Sequence, residues 1–326
     1  MNFLFVTDPL PSFKISKDST YAMMCAAQAR GHTIAVCQPE HLSWQSGSRV
    51  QVKASAIHLT GHPTDWYQVD STDCRFVCDF CAVLMRKDPP CDAAYADATH
   101  LLQQAEREGA RVFNRPGALR DHPEKLAILE FAQLFPQFLG PTLVTRCADD
   151  IRQFHHVHQD IILKPLDGMG GRGIFRVPSD GLNLGSIVET LTDYGAQTVM
   201  VQKFLPAIAH GDKRILLIEG QAVPYCLARI PQAGEVRGNL AAGGRGVAQP
   251  LSPSDLLIAN ALGPILARRG LFLVGLDVIG EHLTEINVTS PTCFLEISDQ
   301  TGLDVAALFV QALEAKLVAS STVSLQ

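Results

Sequence analysis

Residues 160–177 read Asp-Ile-Ile-Leu-Lys-Pro-Leu-Asp-Gly-Met-Gly-Gly-Arg-Gly-Ile-Phe-Arg-Val. The spacing Gly168-x-Gly170-x-x-Gly173 matches a dinucleotide fingerprint, but that fingerprint needs a strand before the glycines and a helix after them. Here both flanks are β-prone, Ile161-Ile-Leu on one side and Ile174-Phe-Arg-Val on the other, with Pro178 closing the second run. The glycines therefore belong at the tip of a β-hairpin. Such a tip can turn backbone N–H groups toward phosphates because glycine tolerates positive φ and close approach, and Lys164 supplies a cation beside it. A flexible hairpin with no ligand is the plainer alternative.

With 326 residues the chain suits two or three domains. Its net charge of −6 gives no basic footprint for nucleic acid, and no apolar run approaches the roughly 20 residues of a membrane span. The opening Met1-Asn-Phe-Leu-Phe-Val-Thr-Asp lacks a basic region and reads as a first strand rather than a signal peptide. Nine scattered cysteines fit a reducing cytoplasm better than a disulfide framework. Cys74, Cys78 and Cys81 cluster, but no second pair at zinc spacing accompanies them. His155, His156 and His158 read as a solvated helix face.

Up to about residue 120 strand-like and helix-like pieces alternate: Phe3–Val6, a helix from Asp18–Ser19 to Arg30 stopped by Gly31, Thr33–Cys37, Cys81–Met85, a helix over Ala93–Glu108, and Arg111–Asn114. That alternation predicts an α/β domain with a parallel, Rossmann-like sheet over 1–122, its ligands at the carboxyl ends of strands. Pro123-Glu124-Lys125 is expected to open a helix capped by Asp121 or His122. The remaining expected units are 123–204 around the glycine hairpin, 205–317, and a frayed tail at 318–326. Ile215–Ile218 and Ala222–Ala228, joined at Glu219-Gly220, predict an antiparallel hairpin.

Two further strands, Phe272–Ile279 and Leu283–Val288, are joined by Gly280-Glu281-His282. A three-residue loop sets residue 277 opposite 285. The two-residue period then puts Asp277, Glu285 and Asn287 on one face and Val278, Ile286 and Val288 on the other. Converging oxygen ligands among apolar neighbours suit a hard divalent cation; a solvent-facing polar edge is the alternative. The long stretch 229–246 is glycine-rich and carries Arg229, Arg237 and Arg245. A loop of that length is a lid, a binding loop or disordered, and three cations favour a lid over an anion. Arg86, in Met85-Arg-Lys-Asp-Pro-Pro90, is either a bidentate carboxylate contact or an ordinary surface residue.

Together these segments resemble the ATP-grasp ligases, and among them the prokaryotic-type glutathione synthetase. The resemblance is carried by Met85–Pro90, Ile161–Gly171, Gly211–Arg214, Tyr225–Gln232, Arg237–Arg245 and Leu283–Thr292, and it spans residues 1–317. It implies an ATP-grasp fold of two α+β subdomains after the N-terminal domain. By the same resemblance Lys125 and Lys164 hold ATP phosphates, and a loop with Asp167, Gly168, Gly170 and Gly171 folds over them. Gln202, Lys203, Phe204 and Leu205 form the hinge against adenine, and Asp212 meets the ribose. Arg214, Arg229 and Arg237 serve catalysis; Asp277, Glu285 and Asn287 bind two Mg²⁺ ions, with Mn²⁺ as a substitute. Arg86, Arg229, Gly244, Ser290, Pro291 and Thr292 shape the substrate sites under the lid. The implied reaction joins γ-glutamylcysteine and glycine into glutathione, with ADP and phosphate released through an acyl phosphate, in a cytoplasmic homotetramer without nucleic-acid or membrane partners. An ATP-grasp ligase for other amino acids and a non-catalytic nucleotide-binding protein are the competing readings. The arginine segments speak against the first and the intact metal and phosphate residues against the second. Leu295 departs from the family pattern, which has Arg there.

Overall fold

In the computed structural model, which describes residues 1–323, the N-terminal region is built on a seven-stranded sheet. Its strands are β1 (Asn2–Val6), β2 (Thr33–Cys37), β3 (Leu42–Ser43), β4 (Gln51–Leu59), β5 (Tyr67–Phe76), β6 (Ala82–Met85) and β7 (Val112–Phe113). The expected parallel core is present as β2-β1-β6-β7. Helix α1 (Ser19–Ala29) starts where Asp18 accepts the Tyr21 amide at 2.9 Å, satisfying one of the orphan donors of its first turn. Helix α2 (Ala93–Arg107) begins in the same way on Asp92.

The sheet also carries an antiparallel wing, β3, β4 and β5, that the alternation of strands and helices does not announce. No residue of β5 is buried and seven of its ten are exposed, so it has no apolar alternation to read. It pairs with β4 from Tyr67 to Phe76, with one register shift at Ala56/Ile57, and a Ser55–Thr72 hydroxyl pair (2.8 Å) and a His58–Asp70 pair (2.8 Å) bridge the strands.

After α3 (Pro116–Asp121), residues 123–127 form a single turn, and α4 begins only at Ile128 (Ile128–Leu134). The helix expected from Pro123 is displaced because the Glu124 carbonyl accepts the Ile286 amide (3.1 Å) while its side chain binds residues 288 and 289. Tertiary bonds outweigh the local capping signal. A four-stranded antiparallel sheet follows, from β8 (Thr142–Thr145), β9 (Ile161–Pro165), β10 (Phe175–Val177) and β11 (Val199–Lys203), in the order β10-β9-β11-β8. Helices α5 (Ala148–His158) and α6 (Leu184–Thr192) pack Ile151 and Val188 onto its apolar face. The glycine run joins β9 to β10, which pair antiparallel as expected.

The last sheet has five strands, β12 (Asp212–Ile218), β13 (Gln221–Ile230), β14 (Arg245–Pro250), β15 (Leu273–Ile279) and β16 (His282–Asn287), in the order β14-β13-β12-β15-β16. Its two faces differ. Ile215, Leu217, Leu276 and Val278 belong to the core that also holds Ile258, Leu262 and Leu266 of α7 (Pro253–Arg268). Leu216, Ile218 and Leu273 join the core of α8 (Phe294–Thr301) and α9 (Val305–Val323) on the other side. At its start β12 alternates Asp212, Lys213 and Arg214. Lys213 reaches Asp255 of α7, whereas Arg214 lies on the opposite face. Helix α9 continues through residues 318–323, where a frayed tail is expected; residues 324–326 lie outside the described part. All nine cysteines are free, and among the described residues no helix is long and apolar enough to cross a membrane.

Candidate active site

Asp277 pairs with Glu285 and Gly275 with Asn287 in the β15–β16 hairpin, as expected, but by another route: the turn is Gly280-Glu281 alone, His282 pairs with Ile279, and a register shift between Asp277 and Val278 restores the pairing. Val278, Ile286 and Val288 are buried, so the oxygen-bearing residues occupy the other face. Asp277 is the centre of an ionic cluster. Arg214 Nε donates to its Oδ1 (2.5 Å) and Nη2 to its Oδ2 (3.1 Å), while Arg229 Nη2 lies 2.9 Å from Oδ2. Arg229 also donates to Asp212 Oδ2 (2.5 Å). Arg214 is Asp277's neighbour in the β12–β15 ladder and Arg229 is Asp212's in β12–β13, so the backbone pairing itself assembles the cluster. Gly275 makes room for it, since a Cβ there would stand 2.8 Å from Arg214 Cδ.

Burial opposes ionisation of Asp277, but Arg214 and Arg229 outweigh it and hold the carboxyl well below the usual carboxylate range. Asp212 goes the other way. Burial pushes it up to about 6, against the pull of Arg229 and with a further push from Asp277. Its Oδ1 is buried without a hydrogen-bond partner. Carboxylate and amide oxygens with one buried oxygen unsatisfied match the donor chemistry of a hard divalent cation. Among the described residues no three His, Cys, Asp or Glu side chains converge closely enough to hold a metal by themselves. The fit therefore relies on Asn287 and on oxygens supplied by a substrate.

An open cleft lies between the four-stranded and five-stranded sheets. Ile162, Ile174, Leu205, Ile279 and Leu283 give it apolar walls, and Lys164, Asp212, Arg237, Asp277 and Glu285 give it a charged end. Such a mixture is typical of a small-molecule site. Lys164 is 5% exposed; burial lowers its pKa while Glu285 works to raise it, and its Nζ donates to the Thr284 carbonyl at 3.3 Å. Lys125 Nζ stands 3.5 Å from Glu285 Oε1 and donates to the carbonyls of Gly168 (2.6 Å) and Leu166 (3.4 Å). One ammonium thus connects the hairpin to the glycine loop.

The glycine loop meets the arginine-rich stretch. Arg237 donates to the Gly171 carbonyl (3.4 Å) and is paired with Glu235 (2.5 Å), whose carboxyl that bond draws down to about 2. Gly171 has φ +82°, and a Cβ there would lie 2.7 Å from Asn239 Oδ1. Only glycine lets the two loops lie this close.

Of the residues singled out in the sequence, the cleft wall gathers Lys164, Gln202, Lys203, Phe204, Leu205, Asp212, Arg237, Asp277 and Glu285. Lys125, Gly168 and Gly171 lie against that wall through the contacts above. Arg214 and Arg229 stand behind it as partners of Asp277, and Asn287 donates to the Gly275 carbonyl (3.3 Å). Arg86 is no surface residue: it is 5% exposed, donating to Thr20 Oγ1 (3.1 Å) and the Pro291 carbonyl (2.9 Å), which brings the N-terminal sheet to the 290–292 segment. Apart from Leu205, the apolar wall residues Ile162, Ile174, Ile279 and Leu283 are not among the site residues singled out in the sequence. Ile162 sits two residues before Lys164 on one strand, and that spacing alone was enough to place it on the same face. Thr142, which accepts from Gln202 Nε2 (3.2 Å), has no such local signal, because strand pairing across 60 residues puts it there.

The same architecture occurs in solved structures of low sequence identity. D-cycloserine synthetase DcsG superposes with a TM-score of 0.69 at 17% identity, over 97% of this chain and 100% of that one. The macrocyclase MdnC from Microcystis aeruginosa does so with 0.63 at 14%, over 97% and 100%. Two α+β sheets clasping a cleft with a glycine loop and buried lysines define an ATP-grasp ligase. Residues 1–120 match the model of the prokaryotic glutathione synthetase N-terminal domain, and residues 124–302 that of the prokaryotic glutathione synthetase ATP-grasp domain. The glutathione synthetase of Ralstonia nicotianae is 59% identical over 96% of this chain and 95% of its own, and that of Pseudomonas syringae pv. tomato 50% over 96% and 97%. The chain belongs to the prokaryotic glutathione synthetase family.

Proposed function

We propose that the cleft holds ATP with its base between the apolar walls at 202–205 and its phosphates toward Lys125 and Lys164, next to Glu285. The chain is an ATP-dependent ligase that forms glutathione: the glycyl-acceptor carboxylate of γ-glutamylcysteine is activated by phosphorylation, and the glycine amine displaces the phosphate. The observation that carries this reading is the meeting of Lys125, Glu285 and the Gly168 carbonyl at one point beside the cleft.

A carboxylate is a poor electrophile and an acyl phosphate a good one, so the protein's task is to align reactants and neutralise charge rather than supply a nucleophile. Lys125 and Lys164 place positive charge where the triphosphate arrives, and the low local dielectric strengthens both contacts. Glu285, Asn287 and Asp277 would hold Mg²⁺ or Mn²⁺, whose charge would offset that developing on the transferred phosphoryl group. Arg214 and Arg229 hold Asp277 ionised and in place. The 230–245 lid and the glycine loop, in contact through Arg237 and Asn239, would cover the site and exclude water from the acyl phosphate. The 290–292 segment, Gly244 and Arg86 would shape the dipeptide and glycine sites. A cytoplasmic homotetramer belongs to the same proposal, and light scattering after gel filtration tests the assembly.

The direct experiment is ADP release with γ-glutamylcysteine and glycine supplied singly and together, with glutathione measured as product. Equal release with an unrelated amino-acid pair and no glutathione overturns the assignment. Lys164→Ala should weaken nucleotide binding by roughly 1.5–3 kcal/mol, the worth of a charge-assisted bond held partly out of water; native affinity by calorimetry would mean that the phosphates lie elsewhere. If the arginine-rich stretch is a lid, limited proteolysis should cut within 230–246 in the free protein, and ATP with dipeptide should slow the cutting. Cleavage indifferent to both ligands leaves a surface loop.

A further inference from the structure

Glu124 precedes Lys125 and takes no part in the chemistry above, yet it holds the far end of the metal-binding strand. One of its carboxylate oxygens accepts from the Val288 amide (3.0 Å), the Thr289 amide (3.1 Å) and the Thr289 hydroxyl (2.7 Å). Its backbone carbonyl accepts the Ile286 amide (3.1 Å). The next residue directs its ammonium to Glu285 and to the Gly168 and Leu166 carbonyls. Two adjacent side chains therefore fasten residues 285–289 on one side and the glycine loop on the other. No β-ladder partner does this for 288 and 289, which lie beyond the end of β16.

We infer that Glu124 is a positioning residue: it sets Glu285 and Asn287 against the glycine loop, so that the cation and the nucleotide phosphates are bound as one unit. The inference rests on the reading of the β15–β16 hairpin as the metal site. It concerns geometry, and the three donors converging on one oxygen would lose their acceptor together if the side chain were removed.

The test is calorimetric ADP binding across a Mg²⁺ series, with kcat and KM for ATP measured alongside. Glu124→Ala should raise the Mg²⁺ needed for half-maximal enhancement of ADP binding, and the KM for ATP, by about tenfold each, as expected when a hydrogen-bonded cradle is lost. Glu124→Gln keeps an acceptor oxygen and should stay within about threefold of the parent. A Glu124→Ala protein with a lower unfolding midpoint but unchanged Mg²⁺ and ATP dependence overturns the inference, as does a Gln variant as impaired as Ala. Should Glu124→Ala fail to fold, Thr289→Val removes one donor and should shift the same quantities by about threefold; no shift again overturns it. If ADP binding by the parent protein ignores Mg²⁺, the metal reading itself falls and takes this inference with it, whereas a Mg²⁺-dependent parent beside an unaltered Glu124→Ala removes the inference alone.

Discussion

An Asp277→Ala chain is expected to lose roughly 3–5 kcal/mol of folding stability, the penalty for leaving buried charges without their partner. Two guanidinium groups, from Arg214 and Arg229, depend on this one carboxylate, and both residues are nearly fully buried. Arg229 keeps Asp212, but Arg214 has no other acidic partner among the ion pairs of the described residues. Such a loss is a large fraction of the 5–15 kcal/mol that holds an ordinary domain folded. Asp277→Asn keeps the shape, removes the charge, and should lie between Ala and the parent. Urea unfolding measures the effect. A midpoint unchanged in both variants would show that water or backbone groups already satisfy the arginines.

Glu285→Gln should give the opposite profile: turnover lower by about a hundredfold or more, with stability within about 1 kcal/mol of the parent. Glu285 is partly exposed, and its ion pair with Lys125 is long at 3.5 Å. Little of the fold therefore depends on it, whereas any cation held at the hairpin loses an anionic ligand next to the phosphates. ADP release at saturating Mg²⁺, read together with the urea midpoint, separates the two carboxylates. Near-native turnover by Glu285→Gln would make the hairpin's polar face a structural feature only. Asn287→Ala removes a neutral ligand and should be partly restored by additional Mg²⁺ or by Mn²⁺.

The contrast between Asp277 and Glu285 marks how far the sequence could be read. The expected pairing put both carboxylates on one face, and the structure has them there, although a shorter turn and a register shift, not the three-residue loop, bring 277 opposite 285. Read in isolation, the hairpin offers both as metal ligands and shows nothing of the buried arginines. Their difference comes from Arg214 and Arg229, which stand 63 and 48 residues before Asp277 in the chain and reach it through strand pairings that no local pattern encodes. The glycine hairpin was legible for the same reason as the metal hairpin, because its information is contiguous. The β4–β5 wing was not, since an exposed strand has no apolar alternation. The helix expected at Pro123 failed because Glu124 is committed to residues 286–289, a partner remote in sequence.

The alternation at the start of β12 bears on how this protein folds. Lys213 and Arg214 are consecutive cations that point to opposite faces, each toward an aspartate: Asp255 on the helix side, Asp277 on the cleft side. A strand that slipped by one residue would not exchange them: it would bring either Asp212 beside Asp255 or Ile215 beside Asp277, so charge opposes the slip in both directions. Shape adds to charge. The guanidinium fork grips Asp277 through two nitrogens, whereas the Lys213 ammonium meets Asp255 and the Gly280 carbonyl (2.9 Å) as a point donor. The slip would also turn Ile215 and Leu217 away from the core they share with Ile258 and Leu262. Exchanging the pair, as Lys213→Arg with Arg214→Lys, leaves net charge and apolar pattern untouched. It should lower the urea midpoint, because the bidentate grip on Asp277 is lost, while hydrogen exchange on residues 212–218 still reports the native register.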